Sequence, residues 1–482
     1  MAAKEFIVAI ELGSSKVTGV AGRKNKDGSI SVLAVVKENS SSFIRKGTVY
    51  NINQTVQCIS NIVNKLSLTL KTKIAHVYVG VGGQSIRSVK NVIGKDLPAE
   101  TIVTQEMVNE LMDTNRNVLY QDQEILDAAT QEYKVDNDFQ LDPVGIQCSR
   151  LEGNFLNILW RKTFYRNLNK CFDSAEVAIA DMYLAPLALA DSVLDDAEKR
   201  SGCVLVDIGS DTTTVSVYYK NILRHLSVVP LGSNNITKDI ASLQIEESVA
   251  ENMKLKYGTA FTDNNEIDNT LMFPIDADRS IESRKFIDIV EGRMQEIIEN
   301  VWYQVPAEYA DKLLGGIILT GGGSNMKNID KAFRDHTHIE KIRIAKFVTH
   351  NITSSNPDIT AQNGTMNTVL GLLAKGNMNC AGDESIENGD LFGSEKAGKT
   401  VTTTADLHQM PRNPNEVGNG VVLTEAEKIK VEEQRRKAAE EAAKRAEEEE
   451  RKKEEERKKD KNMKGQITKL KHWFKNLISE DE

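Results

Sequence analysis

Residues 204–213 read Val-Leu-Val-Asp-Ile-Gly-Ser-Asp-Thr-Thr, and residues 7–15 follow the same plan as Ile-Val-Ala-Ile-Glu-Leu-Gly-Ser-Ser. Each stretch is a short apolar run with a carboxylate near its end, Asp207 or Glu11, followed by a glycine turn with small hydroxyl residues. An apolar run bounded by glycine and serine is typical of a buried strand. The turn offers backbone N–H groups to a phosphate, and the carboxylate can hold Mg²⁺ directly or through water. The repeat predicts two similar halves that face one nucleotide.

A third glycine turn occurs later in the chain. Residues 315–320 (Gly-Gly-Ile-Ile-Leu-Thr) form an apolar run, and residues 321–325 (Gly-Gly-Gly-Ser-Asn) follow it. Glycines allow a ligand ring to approach the backbone closely. Alone, this pattern fits a tight strand-to-helix connection equally well. After two phosphate-type turns in this order, it predicts a third wall of the same site.

Composition limits the class of protein. A chain of 482 residues has room for roughly three to four structural units. A net charge of −9 argues against a general nucleic-acid binder. Five scattered cysteines without CxxC spacing favour a reducing cytosol over a disulfide framework or a zinc site. Neither an apolar signal region nor a run of about 18 apolar residues is found, so we expect no membrane-spanning segment.

The organisation changes along the chain. Residues 6–375 alternate between strand-like and helix-like patterns, and the more polar residues 84–160 interrupt them as an inserted subdomain. Residues 376–423 contain few large apolar side chains, which predicts a disordered linker. Residues 424–463 carry repeated Glu→Lys and Glu→Arg pairs at i,i+4 without an a/d apolar heptad. This pattern favours a solitary charged helix over a coiled coil, and a solvated disordered charge run is the alternative.

Residues 464–479 form an amphipathic pattern. Six apolar side chains fall on one helical face: Ile467, Leu470, Trp473, Phe474, Leu477 and Ile478. Three lysines flank or oppose that face: Lys469, Lys471 and Lys475. Aromatic side chains on an apolar face with lysines around it are typical of a helix that lies in a membrane interface. A core-packing helix is disfavoured because the linker and the charged segment separate this helix from any core. The pattern predicts docking on anionic lipids.

The order of the three turns resembles the superfamily of actin, heat-shock chaperones and sugar kinases. Within it, four stretches resemble the FtsA family of bacterial cell-division proteins: 131–136 (Gln-Glu-Tyr-Lys-Val-Asp), 142–145 (Asp-Pro-Val-Gly), 316–323 (Gly-Ile-Ile-Leu-Thr-Gly-Gly-Gly) and 369–373 (Val-Leu-Gly-Leu-Leu). The resemblance covers residues 5–375, and the tail helix matches the family's membrane-targeting helix. It implies an α/β, actin-like, two-lobed fold with duplicated ribonuclease H-like halves and an inserted α+β subdomain.

The resemblance also implies domain boundaries. Lobe I would comprise 1–83, 161–195 and 350–375, and the inserted FtsA-specific subdomain would comprise 84–160. Lobe II would comprise 196–349, with 232–305 as its smaller subdomain.

Site residues follow from the same resemblance. The first phosphate loop would be Gly13, Ser14, Ser15 and Lys16, and the second would be Gly209, Ser210, Asp211 and Thr212. The adenosine would be lined by Gly321, Gly322, Gly323 and Asn325. Glu251 and Lys254 would contact ribose and adenine, although an ordinary exposed helical pair is the alternative. Glu11 and Asp207 would handle Mg²⁺ through water, and ATP is the expected nucleotide.

The second loop and Ala185 depart from the expected pattern. The second loop is usually Asp-Ile-Gly-Gly-Gly-Thr, whereas Ser210 and Asp211 replace two glycines here. Asp211 adds negative charge near the expected phosphates. Ala185 stands near the place where hydrolysing relatives carry a Glu or Gln that orients water, and alanine cannot do so. We therefore expect no catalytic residue and slow or negligible ATP hydrolysis.

The function implied is a structural one. A protein of this family would bind ATP, self-associate and tether the FtsZ ring to the cytoplasmic face of the cell inner membrane at the division site. FtsZ would meet residues 232–305, and other divisome proteins would meet the inserted subdomain. The alternative is a sugar-kinase-like or phosphatase enzyme, which would need a base and a substrate pocket that the sequence does not reveal. Pilus-assembly and rod-shape relatives are disfavoured by the stretch at 131–133.

Overall fold

A computed structural model describes residues 5–381 of the chain. Its strands are β1 (Ile7–Leu12), β2 (Lys16–Lys24), β3 (Ile30–Asn39), β4 (Ile44–Arg45), β5 (Thr48–Val49), β6 (His76–Val81), β7 (Arg87–Ile102), β8 (Gln123–Val135), β9 (Asp138–Gln140), β10 (Gln147–Arg161), β11 (Ala178–Leu184), β12 (Cys203–Ile208), β13 (Thr213–Tyr219), β14 (Ile222–Val229), β15 (Met272–Pro274), β16 (Ser280–Glu282), β17 (Gly316–Thr320), β18 (Ile342–Ile344) and β19 (Ile352–Thr353).

Its helices are α1 (Ile52–Leu70), α2 (Gln105–Arg116), α3 (Lys162–Ser174), α4 (Ala185–Val193), α5 (Asp196–Ser201), α6 (Ser233–Ala241), α7 (Glu247–Tyr257), α8 (Ser283–Tyr303), α9 (Ala307–Ala310), α10 (Ile329–Thr337), α11 (Pro357–Thr360) and α12 (Asn367–Lys375). Short 3-10 helices occur at Asn264–Glu266 and Gly322–Asn325.

Two sheets repeat one topology. The first has the order β11-β6-β1-β2-β3-β19, and the second begins β18-β17-β12-β13-β14. In each sheet a three-stranded antiparallel meander, β1–β3 or β12–β14, is extended by a pair of parallel strands, β6 and β11 or β17 and β18. The prediction of two similar halves is confirmed.

The central strands form the cores of both halves. Val8 and Ile10 in β1, like Leu205 and Val206 in β12, have no solvent exposure. Continuous apolar runs of this kind belong to strands that are covered on both faces. The strands therefore lie deep in each half, and the turns that follow them open at one sheet edge.

Helices α4 and α12 pack closely together. A Cβ atom at Gly371 would lie 2.6 Å from the carbonyl oxygen of Ala188, so only glycine allows this approach.

An ion pair joins β18 to α5. Arg343 in β18 makes a bidentate contact with Glu198 in α5, with N–O distances of 2.7 and 2.8 Å. Arg343 also donates to the carbonyl of Val193 at the end of α4.

Residues of the inserted segment build their own core and extend the second sheet. Strands β7, β10, β8 and β9 continue it beyond β14, and β14 meets β7 at the pair Ser227 and Arg87. Gln131 in β8 donates to the carbonyl of Leu223 at 2.9 Å and accepts from the buried Arg224 at 3.3 Å. The sequence did not predict that this segment would join the sheet of the second half.

The segment after α12 corrects a predicted boundary. Residues 376–381 belong to the predicted linker, yet they form hydrogen bonds with the residues that directly precede β1 and β6. The Cys380 amide donates to the carbonyl of Phe6 at 2.8 Å, and the Ala75 amide donates to the carbonyl of Cys380 at 2.9 Å. The predicted disordered linker therefore starts too early at residue 376.

Several predictions fall beyond the described part of the chain. The remainder of the linker, the charged helix at 424–463 and the amphipathic helix at 464–479 all lie outside the described residues. Within residues 5–381, no helix has both the length and the apolar character needed to cross a bilayer. The five cysteines, all in this range, are buried and unpaired.

Candidate functional site

The two predicted phosphate loops have the same internal hydrogen bond. The Gly13 amide donates to the carbonyl of Lys16 at 3.1 Å, and the Gly209 amide donates to the carbonyl of Thr212 at 2.9 Å. Each bond closes the turn between the first and second strands of a meander. The sequence repeat thus corresponds to a repeat in three dimensions.

A serine holds each loop from outside. The Ser40 hydroxyl donates to the carbonyl of Gly13 at 2.6 Å, and the Ser233 amide donates to the carbonyl of Gly209 at 3.0 Å. The Asn234 amide then donates to the carbonyl of Ser210 at 2.8 Å. Because buried backbone groups need partners, these bonds fix the course of both loops before any ligand binds.

The two carboxylates of the repeat lie in one electrostatic environment. Burial raises the pKa of Glu11 to about 7, and the negative charge of Asp207 contributes to that rise, while Lys16 opposes it. Burial raises the pKa of Asp207 to about 6. Two carboxylates whose charged forms are disfavoured by burial form a donor set that suits a hard divalent cation such as Mg²⁺.

The third turn packs directly against Asp207. Strand β17 runs parallel to β12, so Thr320 lies opposite Asp207. Gly321 has a φ of +83°, and a Cβ atom there would lie 2.3 Å from Asp207 Oδ1. Only glycine fits this position. A 3-10 helix follows at Gly322–Asn325, and α10 begins at Ile329.

The three turns open into one large cavity of about 1160 Å³. The predicted site residues that line it are Glu11, Gly13, Ser14, Ser15, Lys16, Asp207, Gly209, Ser210, Thr212, Glu251, Lys254, Gly321, Gly322, Gly323 and Asn325. Among the residues predicted to bind nucleotide or metal, all of which lie within residues 5–381, only Asp211 does not line it. The structure therefore brings together residues from both halves that are more than 300 positions apart in sequence.

Helices α6 and α7 form one wall of this cavity. The Lys254 side chain is only 6% exposed, and its Nζ lies 2.7 Å from Glu251 Oε2 and 2.9 Å from Thr237 Oγ1. An ordinary exposed helical pair is therefore excluded for Lys254. Its ammonium group is held in place at the wall by fixed acceptors.

Sequence reasoning missed several parts of the lining, and one of them supports the third glycine turn. Asn363, Gly364 and Thr365, just before α12, face the cavity together with Thr368 in that helix. The Asn325 side chain donates to the carbonyl of Asn363 at 2.7 Å, so this turn supports the third glycine turn. Its Asn-Gly pair was an available signal, but such pairs mark turns of every kind.

Comparisons with known proteins agree with this arrangement. A family model described as "Cell division protein FtsA" matches residues 204–367, and one described as "SHS2 domain inserted in FTSA" matches residues 83–159. Cell division protein FtsA of Porphyromonas gingivalis is 32% identical over 355 residues, which cover 72% of this chain and 74% of that protein. The chain belongs to the FtsA family. The FtsA of Neisseria meningitidis serogroup B is 34% identical over 334 residues, covering 68% of this chain and 80% of that protein.

A solved structure supports the same fold. The chain resembles a protein in a structure titled "PilM-PilN type IV pilus biogenesis complex", with a TM-score of 0.54 and 14% identity. The similarity covers 77% of this chain and 98% of that one. At this identity the likeness shows the fold alone. The predicted actin-like α/β architecture with an inserted subdomain is confirmed for the described residues.

Both departures from the FtsA family pattern lie near the cavity. Ala185 lines it at the start of α4, where a methyl group has no polar atom with which to orient water. Asp211 is instead engaged elsewhere. Its Oδ1 accepts from the Asn234 side chain at 3.2 Å, and its Oδ2 accepts from the Lys46 amide at 3.4 Å.

Proposed function

We propose that this member of the FtsA family binds ATP with Mg²⁺ between its two halves, self-associates, and tethers the FtsZ ring to the cytoplasmic face of the inner membrane at the division site. One observation carries the nucleotide part of this proposal. Two glycine loops with the same internal hydrogen bond, one from each half, line a single cavity together with Glu11 and Asp207.

The nucleotide would lie across both loops. Backbone N–H groups of residues 13–16 and 209–212 would bind the phosphates, and the turn at 321–325 with Glu251 and Lys254 would hold the adenosine. Glu11 and Asp207 would hold Mg²⁺ through water. When bound, the ion would supply positive charge that neutralises these carboxylates and the phosphate oxygens.

The protein would act as a nucleotide-binding scaffold, with at most slow hydrolysis. Ala185 offers no hydrogen bond to an attacking water, and it stands at the cavity wall. ATP would instead favour one relative position of the two halves, since a ligand that contacts both shifts their equilibrium.

The partners follow from the family and from the sequence of the tail. FtsZ would meet residues 232–305, and other divisome proteins would meet residues 84–160. Anionic inner-membrane lipids would bind residues 464–479 through their apolar face and surrounding lysines.

Isothermal titration of the full chain with ATP·Mg²⁺ tests the nucleotide site. We expect a binding heat that weakens strongly in the Asp207→Asn variant. Glu247→Gln is the matched control, because Glu247 is an exposed carboxylate that lines the same cavity. Absence of heat for the wild type, or equal affinity for the wild type and Asp207→Asn, would contradict the assignment.

Co-sedimentation with vesicles that contain anionic lipids tests the tether. We expect the double variant Trp473→Glu and Phe474→Glu to lose pelleting. The control, Thr468→Glu with Asn476→Glu, adds the same charge on the opposite side of the predicted helix and should retain most of the pelleting. Equal pelleting of the wild type and the first variant would exclude this membrane role.

A further inference from the structure

The turn between β4 and β5 contacts both phosphate loops. The Gly47 amide donates to Ser14 Oγ in the first loop at 2.8 Å. The neighbouring Lys46 amide donates to Asp211 Oδ2, in the second loop, at 3.4 Å. Residues 45–48, here called the bridging turn, thus join two loops that belong to different halves of the protein.

The same turn touches the start of the inserted subdomain. The Gln84 amide donates to the carbonyl of Lys46 at 2.8 Å. Gly47 and Gly83 have φ angles of +71° and +99°, and a Cβ atom at Gly47 would lie 2.5 Å from the Cα of Gly83. The two chain segments therefore cross at a point where no side chain fits between them.

Gln84 also connects the two ends of the inserted subdomain. It precedes β7, the first strand of that subdomain, and its carbonyl accepts from Trp160 Nε1 at 3.2 Å. Trp160 lies at the end of β10, the last strand of that subdomain. The backbone N–H and C=O groups of Gln84 therefore link the bridging turn to β7 and β10, the strands by which the chain enters and leaves the inserted subdomain.

Asp211 gives this connection its electrostatic sensitivity. Asp211 belongs to the second loop but does not line the cavity, and the Lys46 amide and the Asn234 side chain hold its carboxylate. A phosphate on residues 209–212 would bring negative charge close to this carboxylate and weaken its bond to Lys46. Ser14, which accepts from Gly47, can still donate its hydroxyl proton to a phosphate, so occupancy would act on both bonds of the turn.

We propose that the bridging turn couples occupancy of the phosphate loops to the position of the inserted subdomain, with Asp211 as the positioning residue. This inference rests on the proposed nucleotide site. A ligand can shift a conformation only through different interactions with the two states. Here the difference lies in the two hydrogen bonds of the turn, and the response appears at Gln84 and Trp160.

The fluorescence of Trp160 tests the coupling in the full chain. The chain has three tryptophans, so Trp302→Phe with Trp473→Phe leaves Trp160 as the single reporter. ATP·Mg²⁺ should change its emission with the same midpoint as the heat of binding. Asp211→Ala is compared with the wild type at ATP·Mg²⁺ concentrations that saturate each protein, as set by the heat of binding, because a change in this loop can alter the affinity itself. At saturation it should lose at least half of the emission change.

Two control variants separate charge from shape. Asp211→Asn keeps an acceptor for the Lys46 amide without the negative charge, so its emission change should be reduced in the same way as that of Asp211→Ala. Glu247→Gln removes a carboxylate from the cavity rim and should leave the emission change as it is.

Hydrogen exchange of the unaltered protein gives a second measurement that needs no variant. The Gln84 amide should exchange several-fold faster or slower with nucleotide than without it, while amides in the centre of α1 stay unchanged. Binding heat without a change at Trp160 or Gln84, or a full emission change in Asp211→Ala, would overturn the coupling and leave the nucleotide site intact. Absence of binding heat would overturn both.

Discussion

Asp207→Asn should stabilise the nucleotide-free protein while it weakens ATP binding. Burial raises the pKa of Asp207 from 3.8 to about 6, and the charge of Asp207 helps to raise the pKa of Glu11 from 4.5 to about 7. Both carboxylates are therefore less favourable as anions in the folded protein than in the unfolded chain. An asparagine at position 207 has the same shape and removes one of the two charges.

The sign of the effect follows from proton linkage. A folded-state pKa above the unfolded value means that the folded protein binds more protons between the two values, so stability falls as the pH rises through that window. For Asp207 the window runs from about pH 4 to pH 6, and the full penalty is present at pH 8. A rise of about two pKa units at about 1.4 kcal/mol each gives an upper value of about 3 kcal/mol. Partial solvent exposure reduces this figure, so we expect about 1–3 kcal/mol.

Urea unfolding of the nucleotide-free full chain at several pH values measures this difference. At pH 8 the variant should unfold at a higher urea concentration than the wild type, and the two midpoints should converge towards pH 4. ATP·Mg²⁺ should stabilise the wild type more than the variant. Glu247→Gln should follow the wild type at every pH. A difference between wild type and variant that does not change with pH, or a less stable variant at pH 8, would refute the electrostatic reasoning.

Two further substitutions test packing near the site. Gly321→Ala should destabilise the protein by more than about 1 kcal/mol and weaken ATP binding, because its φ is positive and its Cβ would meet Asp207 Oδ1. The control Gly28→Ala has a similar φ and nothing within 4 Å of its Cβ, so it should show only the cost of backbone strain. Equal losses of stability in thermal unfolding of the two variants would contradict the steric explanation. Arg343→Met should lower the free energy of unfolding by about 1–3 kcal/mol, because it leaves the buried carboxylate of Glu198 in α5 without its bidentate partner. The control Arg284→Met removes an exposed i,i+4 ion pair and should change the unfolding midpoint far less. Similar shifts for both variants would argue against the role of burial.

The duplicated halves were predictable because their signal is local. Each strand, its carboxylate and its glycine turn lie within about ten consecutive residues, and a short apolar run bounded by turn residues is a local signal for a buried strand. The order of the three turns then indicated a common cavity. Burial of Lys254 could not be predicted, because it depends on Thr237 and on the backbone of Ser233 in another helix.

Contacts between segments that lie far apart in the sequence could not be predicted from its pattern. The joining of β7 to β14 rests on one residue pair and on side chains such as Gln131, whose partner Leu223 is 92 positions away. The contact of Asp211 with Lys46 spans 165 positions. Neither pair has a composition or spacing that marks it, so only the folded chain shows that Asp211 does not line the cavity.

The packing of residues 376–381 has a mechanical consequence. Everything that follows Ala381 along the chain is attached at the edge where Cys380 bonds to Phe6 and Ala75. This edge is at the beginning of β1, roughly 16 Å along the strand from Glu11 at about 3.3 Å per residue. Tension applied through the C-terminal part of the chain would first load this short hydrogen-bonded segment, which lies at the opposite end of β1 from the loop at residues 13–16.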